Sequence, residues 1–328
     1  MMGIEAEATD TRYETNHRIA FLVIAHQDPA HVQRLVERLQ PHRVFIHLDA
    51  KVPLDDRWKS IQATFVEPRF PVYWAGYTQI EATLSLMRAA LASGEIYRKL
   101  VLLSGSCYPI RPIAELERLF AADSGQNYIT YIDVRQSDHH QTLVSHRYCR
   151  DAILPWRLTS RFKPALLAEK VLRKVHELTI GQLPFRWTLP QTPYHGSQWW
   201  ALAPEAATYA VRAIDGDPAL VAKYRASFAA DEQIFQTVIG NSPFAASATG
   251  EIPFTGRGTW KTANLHLIHQ SLSKWYTIDD LDEVLASGRF FVRKVNSAHS
   301  TALLDALDQH ASSSDRVVRE HVTEQSAD

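Results

Sequence analysis

Two spacings of apolar residues alternate along the first half of the chain. RIAFLVIA (18–25), VFIHL (44–48) and KLVLLS (99–104) are unbroken apolar runs of strand length, as expected of strands buried on both faces. Between them the spacing turns helical. Asp28 and Pro29 supply an N-cap and a first-position proline, and Val32, Leu35, Val36 and Leu39 mark one buried face. A second helix, from Thr78 to Ala92, buries Ile80, Leu84, Met87 and Leu91. Short strands are expected at Thr64 to Glu67 and Tyr128 to Asp133, with a helix over Ile113 to Ala121. This β-α-β order predicts an α/β fold with a doubly wound, mostly parallel central sheet. Ligands of such sheets sit beyond the carboxyl ends of the strands, where His26 and Asp49-Ala50-Lys51 fall. Neither GxGxxG nor a Walker sequence follows the first strand, which argues against a dinucleotide or ATP site.

Residues 134–195 change character, with frequent Arg, His and Trp and a basic helix near Leu166 to Leu178. They read as an insertion that shapes a cleft. His139, His140 and His146 have no carboxylate or cysteine at ligand spacing on an evident helix face, so they read as polar loop histidines. His195-Gly196-Ser197-Gln198-Trp199-Trp200 follows: either a strand whose aromatics fill the core, or an aromatic wall beside a ligand. Further on, Asp231 reads as an N-cap ahead of a helix whose Ile234, Phe235, Val238 and Ile239 form a buried stripe. Glu232 then lies at the edge of that stripe, either a solvated first-turn carboxylate or a general base. Leu265 to Ile268 is a short strand, and Arg293-Lys294 places two cations after an apolar one.

Composition narrows the class. With 35 basic and 36 acidic residues and a net charge of −1, the chain has no sign of a nucleic-acid surface. Its two cysteines, Cys107 and Cys149, offer neither a disulfide framework nor a metal spacing and suit a reducing cytosol. The longest apolar run, Ile19 to Ala25, is too short for a transmembrane segment, and residues 1–17 lack the layout of a signal peptide. The expected organisation is a disordered tail (1–17), one domain (18–311) and a flexible serine-rich tail (312–328).

Eight segments stand in an informative order: AHQDP (25–29), IHLDAK (46–51), VYWAG (72–76), LLSGSCYPI (102–110), GSQWWAL (196–202), DEQIFQT (231–237), NSPF (241–244) and FVRK (291–294). Over roughly residues 18–296 the chain thereby resembles the core-2/I-branching β-1,6-N-acetylglucosaminyltransferases, relatives of peptide O-xylosyltransferases. The resemblance implies a GT-A type fold and transfer from a UDP-sugar with inversion, without a cofactor, a divalent metal or a DxD motif. No DxD follows the strand at 128–133, while Asp215-Gly216-Asp217 and Asp280-Leu281-Asp282 read as helix-flanking turns. The family's base maps onto Glu232 and its diphosphate-binding lysine onto Lys294. Its second cation has no exact counterpart: ungapped alignment lands on Ser271, with Lys274 the nearest cation.

The chemistry asks for the same groups. A single displacement needs a carboxylate to take the acceptor hydroxyl's proton, and departing UDP needs positive charge. The donor site expected from these considerations comprises His26, Asp49, Lys51, Lys274, Arg293 and Lys294. The sugar and acceptor side comprises Trp74, Ser104, Gly105, Ser197, Gln198, Trp199 and Trp200, with the tryptophans equally readable as core. The implied partners are UDP-GlcNAc or UDP-xylose and a glycan or lipid-linked glycan acceptor. A bacterial enzyme, cytoplasmic or peripheral at the inner membrane, fits a chain without disulfides. Two other classes stand beside this one: a binding protein of the same fold that lost its chemistry, and a hydrolase. The latter lacks its Gly-x-Ser-x-Gly elbow, since Leu103-Ser104-Gly105-Ser106-Cys107 has no flanking glycines.

Overall fold

Strand β1 (Ile19–Ala25) shows why an unbroken apolar run makes a central strand. Ile19, Phe21, Val23 and Ala25 enter one hydrophobic core, and Ala20, Leu22 and Ile24 enter a second on the opposite face. In the computed structural model, which describes residues 18–325 apart from 124 and 184, β1 pairs in parallel with β2 (Arg43–Leu48) and β4 (Lys99–Ser104). The other strands are β3 (Thr64–Phe65), β5 (Cys107–Pro109), β6 (Asn127–Asp133), β7 (Tyr194–Gly196), β8 (Ala201–Leu202), β9 (Ala248–Glu251), β10 (His266–Ile268) and β11 (Phe291–Arg293). The eight-stranded sheet runs β3-β2-β1-β4-β8-β6-β7, with β9 on β6; β8 and β7 run antiparallel to their neighbours. It is a mixed α/β architecture around a mostly parallel sheet, as the apolar runs predict.

Helix Pro29–Arg38 is capped by Asp28, whose carboxylate accepts from the His31 amide at 3.1 Å. It covers one face of the sheet, and helix Thr78–Leu91 covers the other with Ile80, Leu84 and Met87. A small second sheet, β10-β11-β5, sets Arg293 opposite Cys107 in antiparallel register and Ile268 in parallel register. That crossing brings the late FVRK segment back to the carboxyl end of β4.

The chain differs from its expected organisation at two places. Helix Thr301–Gln325 takes helical backbone past the Ser312 boundary set for the tail, its Ser312 and Ser313 hydroxyls bonding to Asp308 and Gln309 carbonyls one turn back. Residues 1–17 lie outside the described ones. His140 is buried on helix Asp138–Ser145 and is no loop histidine.

Candidate functional site

The carboxyl ends of β1, β2 and β4 open into a cavity of about 490 Å³, lined by His26, Asp49, Lys51, Ser104, Gly105 and Arg293 among others. A second lobe of about 290 Å³ holds Glu232, Asp231, Thr259, Gln198, His269 and Lys274. Trp74, Gln79, Trp199, Arg293 and Lys294 line both, so the two lobes form one cleft with a shared waist. A third concavity, of about 510 Å³ between helices Thr78–Leu91 and Pro204–Gly216, is lined by Arg88–Asp215 and Arg225–Glu81 ion pairs and lies apart from these residues.

In the strand-end lobe, Asp49 is buried and accepts from the Lys51 amide at 2.8 Å, with the Lys51 ammonium 3.3 Å away. Lys51 also donates to the Val72 carbonyl and lies 4.2 Å from the Tyr73 ring centroid. Much of its charge is therefore already answered. His26 stands exposed at the rim, its pKa lowered by burial against the cleft wall while Asp49 works the other way. Arg293 donates to the Ser104 hydroxyl, and its guanidinium carbon lies 4.6 Å from the centroid of Trp199. Lys294 has no side-chain partner among the described residues, and its pKa is lowered by burial and by Arg293 beside it.

Glu232 and Asp231 sit in a single turn, Ala230–Glu232, which follows Ala229 in the left-handed region at φ 51°. The helix proper starts only at Ile234, and Asp231 makes no capping bond. The N-cap expected of Asp231 is thus corrected. Asp231 is a buried carboxylate that accepts from Gln79 Nε2 at 3.0 Å while its other oxygen has no partner. Burial raises its pKa well above the carboxylate range, and the adjacent Glu232 adds to the rise. Glu232 keeps 26% of its side chain open to the cleft and lies 3.5 Å from His195 Nε2. Its pKa is likewise raised by desolvation, opposed by a hydrogen bond from Thr259. His195 is itself pushed down to about 4 by burial, so it meets Glu232 as a neutral imidazole near pH 7.

Several expected ligand residues do other work. Trp200 is 1% exposed, packs its ring 5.4 Å from Phe235 and lines neither lobe, so its sugar-binding assignment is corrected to core. Adjacent residues at a strand entrance point to opposite sides, which gives Trp199 to the cleft and Trp200 to the interior. Ser197 also lines neither lobe: its hydroxyl accepts from the Trp199 amide at 3.3 Å and its carbonyl from Gln236. Gly105 is closely packed: a Cβ there would come 3.0 Å from the Val32 side chain and 3.2 Å from that of Ala25, so either would have to shift. Lys274 lines the Glu232 lobe but pairs with Asp280 at 2.6 Å and Glu283 at 3.6 Å. Trp74, 74% exposed at the mouth, packs on its inner side against Phe228.

Gln79, Thr259 and His195 were not among the expected site residues. Gln79 and Thr259 come from distant parts of the chain and nothing in their local spacing announces them, while His195 opens the aromatic stretch already singled out. The 134–195 insertion adds no wall residue to either lobe among the described residues. It braces the site from behind: Asp151 accepts from the Tyr77 and Thr78 amides, and a Cβ on Gly76 would strike that carboxylate.

The family model for Core-2/I-Branching enzymes matches residues 19–255. The chain belongs to that family. It is therefore a member of a glycosyltransferase family, with a nucleotide-sugar donor and a glycan acceptor, on a GT-A-like fold. No curated protein matches the chain. The matched region contains Asp231 and Glu232 and ends before Thr259, Arg293 and Lys294. Among the described residues no helix is long and apolar enough to cross a membrane.

Proposed function

We propose that this protein is an inverting glycosyltransferase that moves GlcNAc or xylose from a UDP-sugar to a glycan hydroxyl, without a metal. Glu232 takes the acceptor hydroxyl's proton as that oxygen attacks the anomeric carbon. The bond from that carbon to the diphosphate oxygen breaks in the same step, and UDP leaves carrying the added charge. Arg293 and Lys294 stand where that charge develops. The observation that carries this reading is the shared waist. A carboxylate with raised proton affinity faces one lobe, and both lobes meet at Trp199, Arg293 and Lys294.

A screen of UDP release across common UDP-sugars, with and without glycan acceptors, tests the reading. UDP-GlcNAc or UDP-xylose should turn over best, with inversion at the anomeric carbon of the product. Strong turnover of a donor that carries no UDP would overturn it. Tight UDP-sugar binding without turnover on any acceptor would instead favour a binding protein of the same fold.

A further inference from the structure

The Lys163–Leu178 helix projects almost all of its surface to solvent, with Glu169 its buried residue. Leu167, Val171, Val175 and Leu178, at helical spacing, form one continuous stripe and are 64%, 53%, 52% and 64% exposed. Placed around the helix, Lys163, Lys170 and Lys174 run along one border of that stripe. Phe162 before the helix and Ile180 and Leu183 after it are further exposed apolar residues in the flanking turns. Nothing else in the described molecule exposes so many large apolar residues together. An isolated exposed leucine is ordinary, but a rimmed stripe of this length marks a surface built to be covered.

What covers it is indicated by charge. Residues 157–186 carry seven Arg and Lys against two Glu, in a chain whose net charge is −1. One of those two, Glu169, is turned inward, where it accepts from the Ile153 and Leu154 amides and pairs with Arg173 at 2.7 Å. The other, Glu177, faces outward and lies 3.3 Å from Lys174, so the outward face is apolar with a border on which Lys163, Lys170 and Lys174 outnumber one acid, the arrangement of a helix that lies in a lipid interface beside anionic headgroups. Long lysine side chains on the stripe's border can reach headgroup phosphates while their stems stay with the apolar face.

We propose that the Lys163–Leu178 helix and its flanking turns form a docking surface for an anionic lipid bilayer. The anchorage of the helix links that surface to the cleft. Arg173 also donates to the Cys149, Arg150 and Asp151 carbonyls. Arg150 in turn places its guanidinium 4.9 Å from the ring of Trp74 and 4.8 Å from that of Phe228, both walls of the Glu232 lobe. The docking face is thus coupled to the mouth of that lobe through Arg173, Arg150 and Trp74, an arrangement that suits an acceptor held at a lipid surface. The docking itself does not depend on the chemistry assigned to Glu232.

Vesicle flotation of the full chain tests this directly, using phosphatidylcholine alone and an equimolar mixture with phosphatidylglycerol. The protein should float with the anionic vesicles, stay behind with the neutral ones, and be released by high salt. Two variants separate the contributions: Leu167→Gln/Val171→Gln/Val175→Gln, and Lys163→Gln/Lys170→Gln/Lys174→Gln. All six positions are exposed, so far-ultraviolet circular dichroism should match wild type. The lysine variant should lose about a hundredfold in partitioning, from roughly 1 kcal/mol for each surface cation. The apolar variant should lose binding at any lipid charge. Binding unchanged in both variants, or none to anionic vesicles, would overturn the proposal. A wild-type dimer in sedimentation that the apolar variant dissolves, without vesicle binding, would overturn it in favour of a second copy of this chain.

Discussion

Replacing Glu232 with Gln is the sharpest test of the catalytic reading. The amide has the same size, and its oxygen can still accept from Thr259, beside the neutral His195 ring 3.5 Å away. What it cannot do is take a proton. Because one quarter of the side chain opens into the cleft, the substitution buries no new group and the fold should keep its stability. The loss should be chemical, about 10²–10⁴ in kcat, or roughly 3–5 kcal/mol of transition-state stabilisation. UDP affinity should stay within about twofold, since the cations and not the carboxylate meet the diphosphate. The pH profile provides a second readout. A base must be deprotonated to act, and desolvation raises the pKa of Glu232, so activity should fall on acidification well before the ordinary carboxylate range near 4 is reached. The variant should lose that acid limb along with its rate. Near-normal turnover in a folded variant, or an unchanged limb, would refute the assignment.

Lys294→Ala should weaken UDP binding by about ten- to hundredfold in calorimetry, the worth of one charge-assisted hydrogen bond of roughly 1.5–3 kcal/mol; wild-type affinity would remove Lys294 from the site. Turnover should survive saturating EDTA, and silencing by EDTA with rescue by manganese would place the diphosphate on a metal. Asp231→Asn should retain turnover within about tenfold, because the raised pKa keeps that carboxyl protonated near neutrality and the amide reproduces it. The same variant should flatten the pH dependence of stability. The folded carboxyl binds its proton more tightly than the unfolded one, so the wild type loses stability as pH rises from the unfolded value through the folded one. A melting temperature of the wild type that climbs over that range, in differential scanning fluorimetry, would contradict the burial argument.

The strands were legible because their burial is two-sided. An apolar run such as Ile19–Ala25 has only one structural use, and its alternate residues do enter two cores. Glu232, which the structure puts in the cleft wall, was singled out for a different reason, the Asp-Glu pair in a motif that resembles the family's. The role of its neighbour Asp231 was not legible. Asp231 satisfies every local rule for an N-cap, yet the turn at Ala230–Glu232 precedes the helix, and the carboxylate instead meets Gln79 from 152 residues away. Local spacing cannot encode a partner that distant. The tryptophan pair shows a middle case. Alternation along a strand says that Trp199 and Trp200 face opposite ways, but which one meets the cleft depends on helix Ile234–Gly240 packing Phe235 against Trp200.

The family's second diphosphate cation is the position where sequence and geometry part most clearly. Alignment offers Lys274 as the nearest cation, and Lys274 does line the Glu232 lobe. Its ammonium is already 2.6 Å from Asp280 and 3.6 Å from Glu283, so the unit presents no surplus positive charge to a ligand. Arg293 is placed differently. Register with Cys107 fixes its backbone, and Trp199 and the Ser104 hydroxyl fix its side chain at the waist of the cleft. A guanidinium has five N–H donors; Ser104 and Cys107 take some of them, which leaves others, already oriented, for the diphosphate of UDP. If Arg293 is the second cation, Lys274→Ala should leave UDP affinity within about twofold of wild type. Arg293→Lys keeps the charge but loses the stacked fork and the Ser104 bond, and should weaken UDP by about tenfold. Isothermal titration with UDP reads both. A Lys274→Ala variant that loses as much affinity as Lys294→Ala would return the role to Lys274 and show that its carboxylate partners release it when the nucleotide binds.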